Sequence, residues 1–136
     1  MKIYFAGSIA GGREDAGIYH ELIKHLQSYG EVLTEHIGND QLIAQQKSIG
    51  PQQIHDRDVN WLMESDVVVA EVSIPSLGVG YEIGKSLENG KKVICLYRNG
   101  ALKELSPMIF GSGAEIAYYG NVREAQKKLN IIFKNL

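Results

Sequence analysis

Residues 66–82 read Asp66-Val67-Val68-Val69-Ala70-Glu71-Val72-Ser73-Ile74-Pro75-Ser76-Leu77-Gly78-Val79-Gly80-Tyr81-Glu82. The run from Asp66 to Val72 is β-branched and almost without polar interruption. It is too short for a helix and has no polar face, so it predicts a strand covered on both sides. A turn of Pro, Ser and Gly follows. Val79 to Glu88 then predicts a helix, closed by Asn89-Gly90. A buried strand that feeds a helix is half of a βαβ crossover.

The same alternation continues in both directions. Lys2 to Ala6 predicts a first strand, ended by Gly7-Ser8. Asp15 to Tyr29 predicts a helix, with Ile18, Leu22, Ile23 and Leu26 at helical spacing and Gly30 as its stop. Glu31 to Thr34 predicts a second strand, and 39–49 a weaker helix. Pro51 opens another helix with Ile54, Val59, Leu62 and Met63 on its apolar side. Lys92 to Tyr97 predicts a fourth strand, 105–111 a short helix and 115–119 a fifth strand. Asn121 to Phe133 predicts a last helix with Ala125, Leu129, Ile132 and Phe133 inward. Strands alternating with helices require crossovers, hence a mostly parallel sheet. The expected fold is one doubly wound, flavodoxin- or Rossmann-like α/β domain of five strands over residues 1–136.

Composition narrows the function. Fourteen Lys and Arg against sixteen Asp and Glu give a net charge of −2 in 136 residues. A surface that tracks a nucleic-acid polymer needs clustered cations, so that class is set aside. No apolar run approaches the ~18 residues of a membrane helix, and the apolar start is too short for a secretory leader. Cys95 is the single cysteine, within the apolar run Val93 to Tyr97. It predicts a buried, unpaired thiol and a reducing, cytoplasmic setting. His20, His25, His36 and His55 have no metal-ligand spacing, so neither a metal nor a cofactor is expected. Glycine alone is in excess, at 15 residues, about 11% against a usual ~7%.

In doubly wound sheets ligands bind beyond the carboxyl ends of the strands. Two glycine clusters fall on that edge: Gly7-Ser8-Ile9-Ala10-Gly11-Gly12-Arg13 after strand one, and Ser76-Leu77-Gly78-Val79-Gly80 after strand three. Glycine lets backbone N–H groups approach a ligand, and a helix N-terminus favours an anion. Ser8 and Ser76 add hydroxyls, so a phosphate pocket is one reading and tight turns are the other. Neither loop carries a known phosphate fingerprint. Among the carboxylates, Glu82 lies inside a helix beside the second cluster, where the helix end is expected to keep it ionised. Asp58 lies near the apolar side of the helix before strand three. Glu71 ends the buried strand and reads equally as structural. Asp56 is expected on the surface. Tyr4 leads into the Gly7-Ser8 loop, and His36 follows strand two. Two carboxylates around a glycosidic bond are one familiar solution: one attacks, the other moves the proton.

Tyr4-Phe5-Ala6-Gly7-Ser8-Ile9, Gly11-Gly12-Arg13-Glu14-Asp15, Leu33-Thr34-Glu35-His36, Asp66 to Val72 and Pro75 to Glu82 closely resemble the 2′-deoxynucleoside 5′-monophosphate N-glycosidases of the nucleoside 2-deoxyribosyltransferase superfamily. The resemblance runs from Lys2 to about Gly111. It implies hydrolysis of a deoxynucleotide to free base and 2-deoxyribose 5-phosphate. It implies Glu82 as a nucleophile that forms a covalent deoxyribosyl intermediate, and Asp58 as general acid and base. Tyr4 matches a tyrosine that hydrogen-bonds the nucleophile and helps exclude a ribose 2′-hydroxyl. Ser8, Gly11, Gly12, Ser76 and the Gly78 backbone match the phosphate side, with Ile9 and His36 near the base. Ser106 matches a serine supplied by the partner subunit, which implies a homodimer with shared sites.

One departure is Ala10, where the family often has arginine. It removes a cationic phosphate contact that Arg13 could replace. Three other readings compete. One is a deoxyribosyltransferase acting on unphosphorylated nucleosides, whose members tend to place an acidic residue in the 75–78 loop. Another is a ribonucleotide hydrolase, whose members tend to have phenylalanine at position 4. The third is a non-catalytic nucleotide-binding module.

Overall fold

The computed structural model describes residues 1–8, 15–34 and 48–136. Ile9, Ala10, Gly11, Gly12, Arg13, His36 and the expected 39–49 helix lie outside the described residues. The elements are β1 (Lys2–Ala6), α1 (Ala16–Leu26), β2 (Glu31–Val32), α2 (Pro51–Glu64), β3 (Val67–Glu71), α3 (Leu77–Glu88), β4 (Lys92–Arg98), α4 (Pro107–Phe110), β5 (Glu115–Tyr119) and α5 (Val122–Lys134). The strands form one sheet in the order β2-β1-β3-β4-β5, and every pairing is parallel. The expected doubly wound α/β fold is observed.

Strand β3 lies at the centre and is buried along its whole length. That is why its sequence lacks an alternating pattern. Ile3, Phe5, Val67, Val69, Ile94 and Leu96 point to one face, where α1 and α5 cover them through Leu22, Leu26, Ala125 and Leu129. Tyr4, Ala6, Val68, Ala70, Val93 and Cys95 point to the other, where Leu62 of α2 and Val79 and Ile83 of α3 cover them. Cys95 is the buried free thiol expected, and burial pushes its pKa up to about 12. Among the described residues no helix is long and apolar enough to cross a membrane.

Several boundaries differ for local reasons. Strand β2 stops at Val32, because the Thr34 hydroxyl turns back to bond both Phe5 N (2.8 Å) and Phe5 O (2.6 Å). Helix α3 starts at Leu77, two residues before the expected Val79, because Ser76 caps it by accepting from Val79 N at 3.3 Å. Gly90 is the left-handed helix stop expected, at φ 72°. Gly30 is needed for a different reason: a Cβ there would collide with the Met1 carbonyl oxygen.

Candidate active site

The carboxyl ends of β1 and β3 bring Tyr4 and α3 together. Tyr4 is almost fully buried, and its hydroxyl donates to Glu82 Oε2 in a short hydrogen bond. The two residues are far apart in sequence, and parallel pairing of β1 with β3 makes the contact possible. Burial is the main influence on Tyr4, and the neighbouring Glu82 and Asp58 charges add to it. All three raise its pKa, so Tyr4 stays a neutral donor.

The expectation that a helix end keeps Glu82 ionised is overturned. Because α3 begins at Leu77, Glu82 stands in the second turn, and the helix dipole acts mainly over the first. Burial dominates instead and lifts its pKa to about 7. The Tyr4 hydrogen bond opposes that rise, while the charge of Asp58 adds to it. Glu82 therefore titrates near neutrality.

Asp58 is on α2, within electrostatic reach of both Tyr4 and Glu82. Its side chain is partly buried, as expected from its position near the apolar side. Its Oδ1 accepts from Arg57 Nε at 3.0 Å, and the Arg57 guanidinium lies 5.0 Å from the Trp61 ring centroid. Sequence reading passed over Arg57, although a cation beside a half-buried carboxylate was the available signal. It weighs His55 only as a metal ligand; His55 Nε2 lies 2.8 Å from the Tyr81 hydroxyl and joins α2 to α3. Asp56 is exposed, as expected.

The residues expected on the anion side are two helix caps and one unpartnered hydroxyl. Ser8 is fully buried, and its Oγ has no hydrogen-bond partner among the described residues. A buried polar atom left unpaired is costly, and a ligand is one way to satisfy it. Ser8 N donates to the Tyr19 hydroxyl at 3.2 Å, and a Cβ at Gly7 would come within 3.0 Å of the Tyr19 ring. Gly7 is thus the residue that lets β1 exit against α1. Ser76 accepts from a helix N–H, so its own O–H can still be donated. The Gly78 backbone N–H lies in the same first turn of α3, where intrahelical partners are lacking.

Ser106 caps α4 in the same way, accepting from Met108 N at 3.2 Å. Ser76 and Ser106 of one chain line a cleft of about 510 Å³ with Val79, Ile83, Leu105 and Ile109. Tyr4, Asp58 and Glu82 do not line that cleft. Among the described residues no group of His, Cys, Asp and Glu could hold a metal ion.

Glu71 takes the structural reading. It is fully buried, and it accepts from Ser73 N at 2.6 Å, from Ser73 Oγ at 3.0 Å and from the Tyr119 hydroxyl.

Residues 3–130 match the family model for nucleoside 2-deoxyribosyltransferase. The chain belongs to that family. It is 54% identical over 114 residues to a 5-hydroxymethyl-dUMP N-hydrolase of Tetraodon nigroviridis, covering 82% of this chain and 80% of that one. It is 53% identical over 116 residues to the protein of the same name from Danio rerio, covering 85% and 81%. The family fold recurs in the solved structure of a Clostridium botulinum CMP N-glycosidase. That match has a TM-score of 0.72 at 22% identity and covers 97% of this chain and 99% of that one.

Proposed function

We propose that this chain hydrolyses the N-glycosidic bond of 2′-deoxynucleoside 5′-monophosphates to a free base and 2-deoxyribose 5-phosphate. The observation that carries this reading is the part-buried Tyr4–Glu82 hydrogen bond with Asp58 in electrostatic reach. The relatives named as N-hydrolases of a deoxynucleotide support it. In this reading ionised Glu82 attacks C1′ and forms a covalent deoxyribosyl ester. Asp58 gives its proton to the departing base, then takes one from the water that opens the ester. No 2′-hydroxyl withdraws electrons from the cationic transition state, and the Tyr4 hydroxyl occupies space near the nucleophile that such a group would need. Ser8, Ser76 and the Gly78 backbone hold the 5′-phosphate. The family resemblance assigns Gly11 and Gly12 to the phosphate and Ile9 and His36 to the base.

Incubation with dGMP, GMP, 5-hydroxymethyl-dUMP and deoxyguanosine tests the proposal, with free base measured by chromatography. Release is expected from deoxynucleotides and not from GMP or deoxyguanosine. Turnover of deoxyguanosine only when an acceptor base is added would make the protein a transferase. Release from no deoxynucleotide would leave a binding module.

The proposal includes a homodimer in which Ser106 completes the partner's phosphate site, working in the cytoplasm. Apolar surface supports it: Leu77 is 97% exposed, and Met108 and Phe110 of α4 are 81% and 62% exposed. A second copy covering them would gain about 25 cal/mol per Å² of apolar surface buried. The cleft shared by Ser76 and Ser106 offers a same-chain alternative. Mixing Ser106→Ala chains with Glu82→Ala chains separates the two. Partial recovery of activity in the mixed dimer is expected only if Ser106 acts across the interface.

A further inference from the structure

One buried polar chain at the carboxyl edge has no part in the chemistry above. Arg98 Nη1 donates to Asp15 Oδ2 at 2.6 Å, with Asp15 nearly fully buried. The Arg98 charge is also felt at Tyr119, whose hydroxyl donates to Glu71 Oε2. Glu71 holds Ser73 through both N and Oγ, and Ser73 Oγ in turn accepts from Arg98 N at 2.8 Å. The bonded chain Asp15–Arg98–Ser73–Glu71–Tyr119 spans the ends of β3, β4 and β5 and the start of α1.

Two of its members, Asp15 and Ser73, bear on the two sides of the proposed anion site. Ser73 stands three residues before Ser76 in the loop that enters α3. Asp15 stands one helical turn before Tyr19, whose backbone N–H it accepts at 2.9 Å, and Tyr19 is the residue that holds Ser8 N. A path of hydrogen bonds therefore runs from Ser8 through Tyr19 and Asp15 to Arg98 and on to Ser73, in the loop that carries Ser76. Apolar side chains could fill the same space at equal or better stability, since a buried ion pair must offset its own desolvation. A network of directional bonds fixes distances that an apolar contact does not.

We infer that the Asp15–Arg98–Ser73–Glu71–Tyr119 chain is a positioning device that sets the spacing between the Ser8 and Ser76 sides of the phosphate site. The inference rests on the proposed phosphate reading of those serines. Arg98 and Tyr119 are positioning residues: they act through Asp15 and Ser73 and touch no substrate.

The test uses full-length Arg98→Gln, Arg98→Lys and Tyr119→Phe. Tyr119→Phe keeps the ring and loses only the hydroxyl, so it is the variant of choice should Arg98→Gln fold poorly. The expected result is a KM for the deoxynucleotide raised roughly tenfold with kcat at saturation retained, since uniform binding is what is lost. Arg98→Lys is expected to recover part of the effect. Calorimetric titration with inorganic phosphate is expected to show weaker binding by the variants than by the native chain. A fall in kcat with KM unchanged would overturn the inference. So would phosphate binding equal to that of the native chain, or no phosphate binding by the native chain. A native chain that binds phosphate yet releases no base would sink the proposed function, and the binding comparison would still decide this inference.

Discussion

Glu82→Gln is expected to cut turnover by roughly 10³-fold or more and, at pH 8, to make the protein more stable. The first effect follows from the proposed role: an amide cannot form the glycosyl ester, and water alone is a poor substitute for a placed nucleophile. Deoxynucleotide binding is expected to survive, because Ser8, Ser76 and the Gly78 backbone are untouched. The second effect follows from burial. The Glu82 pKa rises from an ordinary 4.5 to about 7 in the folded chain. Between those values the folded state binds more protons than the unfolded state, so stability falls as pH rises across the window. Above pH 7 the whole cost of holding a buried charge is present; below the unfolded value it is gone. The cost is on the order of 3 kcal/mol. An isosteric neutral residue removes it. Thermal melts of native protein and Glu82→Gln at pH 8 and pH 4 are expected to differ at the first and converge at the second. Normal turnover in the variant would refute the nucleophile assignment. Equal melting temperatures at pH 8 would refute the buried-charge account.

The sequence made the sheet legible because β3 is central: Val67, Val68 and Val69 with Ala70 admit no amphipathic reading, and the crossover rule then orders the rest. It singled out Tyr4, Asp58 and Glu82 through loop position and motif, and the structure brings the three within electrostatic reach of one another. The protonation of Glu82 was not legible, because it depends on where α3 begins. Two extra residues at the N-terminus, Leu77 and Gly78, move Glu82 out of the first turn and under cover. The Asp15–Arg98 pair was equally hidden. Asp15 opens the expected helix, and from its N-cap position its side chain makes no capping hydrogen bond and turns to β4 instead. Such a pairing depends on strand order, which residue spacing does not encode. Glu71 was half legible: a carboxylate within a doubly covered strand must have partners, but Tyr119 could not be named before β5 was set beside β4.

Tyr4→Phe should shift the pH dependence of the reaction rather than abolish it. In the proposed mechanism Glu82 attacks only when ionised, so kcat/KM is expected to fall as pH drops below about 7, the value to which burial raises its pKa. The Tyr4 hydrogen bond works against that rise by stabilising the carboxylate. Phenylalanine keeps the ring packed beneath α3 and deletes the donor. The carboxylate then loses a charge-assisted bond worth about 1.5–3 kcal/mol, its pKa moves further up, and the acid limb of the profile moves to higher pH. At pH 6 the variant is expected to lose roughly 10- to 100-fold in kcat/KM, with a loss of no more than about threefold from ionisation at pH 9, where Glu82 is ionised in the native enzyme and at least partly so in the variant. The missing hydroxyl also opens space beside the nucleophile, so hydrolysis of GMP relative to dGMP is expected to increase. The two readouts are independent. A limb that stays in place would show that Tyr4 does not tune Glu82. A limb that moves with GMP still refused would keep the tuning and remove Tyr4 from sugar selection. A retained acid limb with activity lost equally at every pH would mean that Tyr4 positions the carboxylate geometrically, because misplacement of a nucleophile lowers turnover without changing when it ionises.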